Sequence, residues 1–93
     1  MEFGKYLVLS TAHVHFATAE LLTAWAQFPP AEQPLAMAST QYGWFLSTRS
    51  VLDGEALPEE LPAILALGRA HGCDHVLLDS DGEEVAELPV FPW

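Results

Sequence analysis

Four short apolar runs and two stretches of helical periodicity outline this chain. Tyr6 to Leu9 is uninterrupted and apolar, the pattern of a strand buried on both faces. After the polar Ser10-Thr11-Ala12-His13, the residues Leu21, Leu22, Trp25 and Phe28 recur at helical spacing. Thr18 is the expected N-cap of that helix, Glu20 falls in its first turn, and Pro29-Pro30 ends it. Leu35 to Thr40 and Trp44 to Thr48 predict two strands of a hairpin, joined around Gln41-Tyr42-Gly43, where Gly43 can take a positive φ.

A polar loop from Arg49 to Gly54 leads to Pro58, suited to the first turn of a second helix, with Glu59 and Glu60 near its positive end. Leu61, Ile64, Leu65 and Gly68 make the buried stripe of that helix, and Gly72 is its expected left-handed terminator. Val76 to Leu78 predicts a last buried strand, closed by the turn dipeptide Asp81-Gly82. The Pro-rich tail Leu88 to Trp93 is expected to pack as an extended segment or a short edge strand. The order is β-α-β-β-α-β, which predicts an α+β ferredoxin-like sandwich: an antiparallel sheet, two helices on one face and a short C-terminal extension. With 93 residues there is room for one hydrophobic core, so residues 1–93 are expected to form a single domain.

Charge changes this picture most. The chain has 13 Asp and Glu against three Lys and Arg, a formal net charge of −10, while 51% of its residues are hydrophobic, enough to fill a core. Such a surface repels nucleic acid and anionic membranes and attracts basic proteins. Direct nucleic-acid and membrane partners are therefore not expected. The single Cys73 excludes an internal disulfide and suits a reducing compartment. The start of the chain has no secretory pattern and no apolar run spans a bilayer, so a cytoplasmic location is expected.

Threaded through the ferredoxin-like topology, Glu2, Glu32, Asp53, Glu55, Glu59, Glu60, Asp79, Asp81, Glu83 and Glu84 gather at one pole, relieved only by Lys5 and Arg49. B-DNA carries one charge per about 1.7 Å of axis, so a pole of this kind imitates a short length of duplex facing a Lys/Arg-lined groove. The residues expected to act as phosphate surrogates are Asp53, Glu55, Glu59, Glu60, Asp79, Asp81, Glu83 and Glu84. A solvated acidic face that keeps the protein soluble accounts for the same composition. The opposite pole would hold His13 and His15 with His71, Cys73, Asp74 and His75, a set with the donor types of a Zn²⁺ site; buried or hydrogen-bonded residues near the helix ends account for it better.

No nucleophile elbow, P-loop or dinucleotide fingerprint is present, so no enzymatic activity and no cofactor are expected. A Cys73 thiolate activated by His71 or His75 needs a geometry that adjacency does not supply, and the aliphatic neighbours favour an inert buried thiol. Asp79-Ser80-Asp81-Gly82 resembles the start of a calcium loop, but its Gly comes too early and the closing Glu is missing, so a turn explains it better. Trp25 and Trp44 fall in core patterns, whereas Phe91 and Trp93 can either seal the core or anchor a partner.

The stretches Leu9-Ser10-Thr11-Ala12-His13, Leu61-Pro62, Ala70 to Asp79 and Leu88 to Trp93 resemble a small bacterial domain family of unknown function encountered on mobile elements. In size and charge the chain is also similar to small acidic anti-CRISPR proteins, some of which mimic DNA and block target recognition. That resemblance implies an inhibitor that occupies the basic, DNA-contacting site of a CRISPR-Cas effector. The alternatives are a generic acidic interaction module, dimerising through a sheet edge or the Phe91-Trp93 tail, and a metal-binding protein using His13, His15, His71 and His75.

Overall fold

The computed structural model describes residues 1–51 and 56–93. The order of elements is the expected one: β1 (Tyr6–Ser10), α1 (Phe16–Trp25), β2 (Leu35–Thr40), β3 (Gly43–Val51), α2 (Glu60–Ala70) and β4 (His75–Asp79), with 3-10 turns at Thr11–His13 and Pro30–Glu32. The way the strands join is not. They form one sheet in the order β1-β4-β3-β2, in which β2–β3 and β3–β4 are antiparallel and β1–β4 is parallel. The sheet is therefore mixed. A split βαβ sandwich would set β1 inside the sheet, whereas here β4 lies between β1 and β3 and leaves β1 at the edge. The apolar run Val76-Leu77-Leu78 explains why β4 takes the central place, since each residue faces apolar neighbours on both sides in register.

Leu9, Val76, Leu78 and Leu46 point from the sheet to the helices and meet Ala19, Leu22 and Trp25 of α1 and Leu61, Ile64 and Leu65 of α2 in one cluster. The stripe expected on α2 is buried as read, including Gly68. On α1 the stripe is corrected: Leu22 and Trp25 are buried, but Leu21 and Phe28 are each 43% exposed. Leu21 and Leu22 are adjacent and cannot face the sheet together, and Phe28 lies beyond the last helical turn.

β1 is not buried on both faces. Tyr6 and Val8 look outward and are exposed, forming an open face with Phe45, Leu77 and His75. There the Tyr6 and Phe45 rings meet edge-on at 5.6 Å and His75 stacks on Phe45 at 4.6 Å. Both helices cover the other face. Two glycine readings also part company. Gly72 ends the α2 turn with a φ of 70°, as expected, but Gly43 has no positive φ; its missing side chain instead lets β3 lie directly against the backbone of Leu78.

The tail from Val85 onward adds no strand. It lies across the connection from β1 to α1, where the Phe91 N–H donates to the Ala12 carbonyl at 2.8 Å and the Trp93 indole N–H to the Val14 carbonyl at 2.9 Å. Leu88 is buried beneath it.

Candidate protein-interaction site

Parallel pairing of β1 with β4 puts Ser10 beside Asp79, so both strands finish at the same end of the sheet. The β2–β3 turn belongs to that end too, because Gly43 pairs with Asp79. So do the starts of both helices, since the Glu60 carboxylate accepts from the His15 backbone N–H and the Thr18 hydroxyl, each at 2.7 Å. Glu59, Glu60, Asp79, Asp81, Glu83 and Glu84 all lie at that end. Glu2 and Glu32, expected among them, sit at the opposite end, before β1 and β2 begin. Asp53 and Glu55 lie outside the described residues.

The cations separate more cleanly than the sequence implied. Lys5 and Arg49 do not relieve the acidic end. The Lys5 Nζ donates to the His71 carbonyl, Arg49 pairs with Asp74 at 3.0 Å, and Arg69 donates to the Thr48 carbonyl, all where β1 and β4 start. Among the described residues, the end that holds Asp79 to Glu84 has no Lys or Arg.

Local structure fixes these acids. Asp79 accepts the Asp81 N–H on its side chain at 2.8 Å and the Gly82 N–H on its carbonyl at 2.9 Å, a tight turn that leaves Asp81 exposed. The Glu83 carbonyl then accepts the Ser10 N–H at 3.0 Å, tying the segment to the end of β1 while the Glu83 and Glu84 side chains stay exposed. Asp79 is half-buried. Glu60 differs from all of them, because it is 8% exposed and its carboxylate is committed inward.

That commitment replaces an N-cap the sequence seemed to supply. α1 starts at Phe16, two residues before Thr18, and its N-cap His15 makes no side-chain cap bond. Thr18 lies in the first turn, with its hydroxyl on Glu60, so α2 caps α1 across the fold. Burial alone would push the Glu60 carboxyl up. The His15 N–H, the Thr18 hydroxyl, its own backbone N–H and the charge of the His15 ring outweigh burial and hold it below the ordinary 4.5. A carboxyl lowered on folding adds stability above 4.5 and loses it as pH falls through the lower folded value. Glu60→Gln is expected to flatten the acid limb of melting temperature against pH while costing about 1–3 kcal/mol near neutral pH. An unchanged acid limb in the variant would contradict this role.

The histidines do not assemble. His13 and His15 follow β1 at the acidic end, whereas His71, Cys73, Asp74 and His75 lie at the start of β4, the other end of the sheet. The expected His/Cys pole rested on antiparallel β1 and β4, and the parallel pair divides it. Among the described residues no three His, Cys, Asp or Glu side chains are placed to hold a metal ion. His13 is buried with both ring nitrogens engaged: Nδ1 lies 2.8 Å from the Pro89 carbonyl, and Nε2 accepts the Val85 N–H at 3.0 Å. It is therefore the anchor of the tail. His15 instead stacks on Phe91, ring centres 3.7 Å apart. Cys73 is buried.

Aromatic side chains flank the acids, a feature that the charge count hid. Phe16 and Trp93 meet edge-on at 5.7 Å and are 56% and 60% exposed, and Tyr42 at the hairpin turn is 54% exposed. The tail aromatics gave a signal for Trp93 alone; Phe16 and Tyr42 had none.

The fold and this end define a small α+β domain with a mixed four-stranded sheet and, among the described residues, one acidic end without Lys or Arg and no helix long and apolar enough to cross a membrane. The chain belongs to the family described as "Family of unknown function (DUF5983) C-terminal domain", matched over residues 6–93. No curated protein and no solved structure matches it.

Proposed function

We propose that this protein is a non-catalytic inhibitor whose acidic end occupies a basic, nucleic-acid-binding surface of a partner protein, in its most concrete form the DNA-contacting site of a CRISPR-Cas effector. The observation that carries the reading is the segregation of charge: Glu59, Asp79, Asp81, Glu83 and Glu84 converge where no Lys or Arg is present. Like charges held together destabilise a fold, and a basic partner removes that penalty. Fixing the acids by the Asp79 turn and the Ser10 bond reduces the ordering cost of engaging them. The flanking Tyr42, Phe16 and Trp93 add the aromatic surface typical of protein interfaces. The effector is named from the resemblance in size and charge.

The test is competition. Purified protein is titrated into CRISPR effectors bound to labelled target DNA at low and high salt. A competitive block that weakens with salt is the expected result. No block of any effector would favour a second reading, a generic interaction module using the open sheet face of Tyr6, Val8 and Phe45.

A further inference from the structure

Beside the exposed acids, the first turn of α2, the entry to α1 and the tail enclose a pocket of about 340 Å³ lined by His15, Glu59, Glu60, Ala63, Pro89 and Phe91. Ligand pockets span about 300–1,000 Å³, so this one suits a single side chain better than a cofactor. One wall is flat and aromatic, the Phe91 ring with His15 stacked on it at a tilt of 31°. The α2 wall carries two carboxylates, the exposed Glu59 and the buried Glu60.

Glu60 makes the pocket unusual. It is more than nine-tenths buried and favoured in its ionised form, yet among the described residues the one Lys or Arg ion pair is Arg49 with Asp74, at the far end of the sheet. Its charge is balanced by backbone and hydroxyl dipoles and by the charge of the His15 ring, with no Lys or Arg among the described residues beside it. A carboxylate has about four acceptor positions, and the His15 N–H and the Thr18 hydroxyl both occupy Oε2. A buried carboxylate without a Lys or Arg partner is costly, and a guanidinium entering the pocket would add charge-assisted hydrogen bonds to it.

The walls select the kind of cation. A guanidinium is planar and weakly hydrated; it stacks on an aromatic face while its in-plane N–H groups reach carboxylates at the edge, whereas an ammonium holds its water and has no flat face. We infer that the pocket receives one arginine side chain of a basic protein partner, its guanidinium against Phe91 and between Glu59 and Glu60. The identity of that arginine as a partner's rests on the function proposed above; the chemistry of the pocket does not.

The two are tested apart by titrating the isotope-labelled full chain with N-acetyl-arginine amide, and with the citrulline and lysine amides as controls, following backbone NMR shifts. Saturable shifts centred on His15, Ala63 and Phe91 are expected with arginine, weaker ones with lysine and none with the neutral citrulline. Phe91→Leu is expected to weaken arginine binding about fivefold, the size of one exposed cation–π contact. No saturable shift with arginine, or equal shifts with citrulline, overturns the inference. That failure would leave a competitive block of an effector standing, whereas intact arginine binding without any block would remove the proposed function and keep the pocket.

Discussion

His13→Leu is expected to release the tail and lower the melting temperature by about 8 °C or more. The imidazole serves two backbone groups of the tail at once, receiving the Val85 N–H at 3.0 Å and reaching the Pro89 carbonyl at 2.8 Å. The Val85 N–H can only donate, so Nε2 is the acceptor and Nδ1 carries the proton. Leucine keeps most of the volume but leaves both backbone groups unpaired, at about 1–3 kcal/mol each. A domain of this size loses about 4–8 °C per kcal/mol. Since Phe91 and Trp93 are held on the same segment, the variant should also become cleavable after Val85. A melting temperature within about 2 °C of the wild type, with an intact tail under limited proteolysis, would show that the ring is not the anchor.

Gly43→Ala is expected to cost about 4 kcal/mol or above and to leave little soluble protein. A Cβ at this position would run into the Leu78 carbonyl oxygen and lie 2.8 Å from its carbon and 3.3 Å from the Asp79 Cα. All three are backbone atoms of the central strand and cannot rotate away. Gly4→Ala is the matched control, because nothing lies within 4 Å of a Cβ there, and its effect should stay within about 0.5 kcal/mol. Equal soluble yield and stability for the two variants would contradict the close approach of β3 to β4.

The elements themselves were legible. β2 spans Leu35–Thr40 as read, α2 buries Leu61, Ile64, Leu65 and Gly68, and Gly72 ends it in the left-handed region, because periodicity and capping are local properties. The pairing of β1 with β4 was not legible, since an apolar run such as Val76 to Leu78 packs equally well beside a parallel or an antiparallel neighbour. Its direction depends on the end at which α2 starts, which Glu60 fixes by reaching His15 and Thr18. A carboxylate that caps a helix 42 residues away leaves no pattern in the chain.

The candidate site inherited that error in a traceable way. The mispaired sheet sent Glu2 and Glu32 to the acidic end, brought Lys5 and Arg49 with them, and gathered His13, His15, His71 and His75 at the other. With the parallel pair in place, Glu59, Asp79, Asp81, Glu83 and Glu84 remain together and lose their neighbouring cations, while the histidines divide. The acidic end is smaller than composition implied and less diluted.

Position, and not net charge, is the centre of this account, and two double variants separate them. Glu83→Lys with Glu84→Lys, and Glu2→Lys with Glu32→Lys, each raise the formal charge from −10 to −6, two units per substitution. All four side chains are exposed, so both variants should fold. The measurement is competition with target DNA for a CRISPR effector at fixed ionic strength, with the wild type alongside. The account predicts that the Glu83/Glu84 variant loses the block and the Glu2/Glu32 variant retains it; equal loss in both, or a block that survives in both, would contradict it.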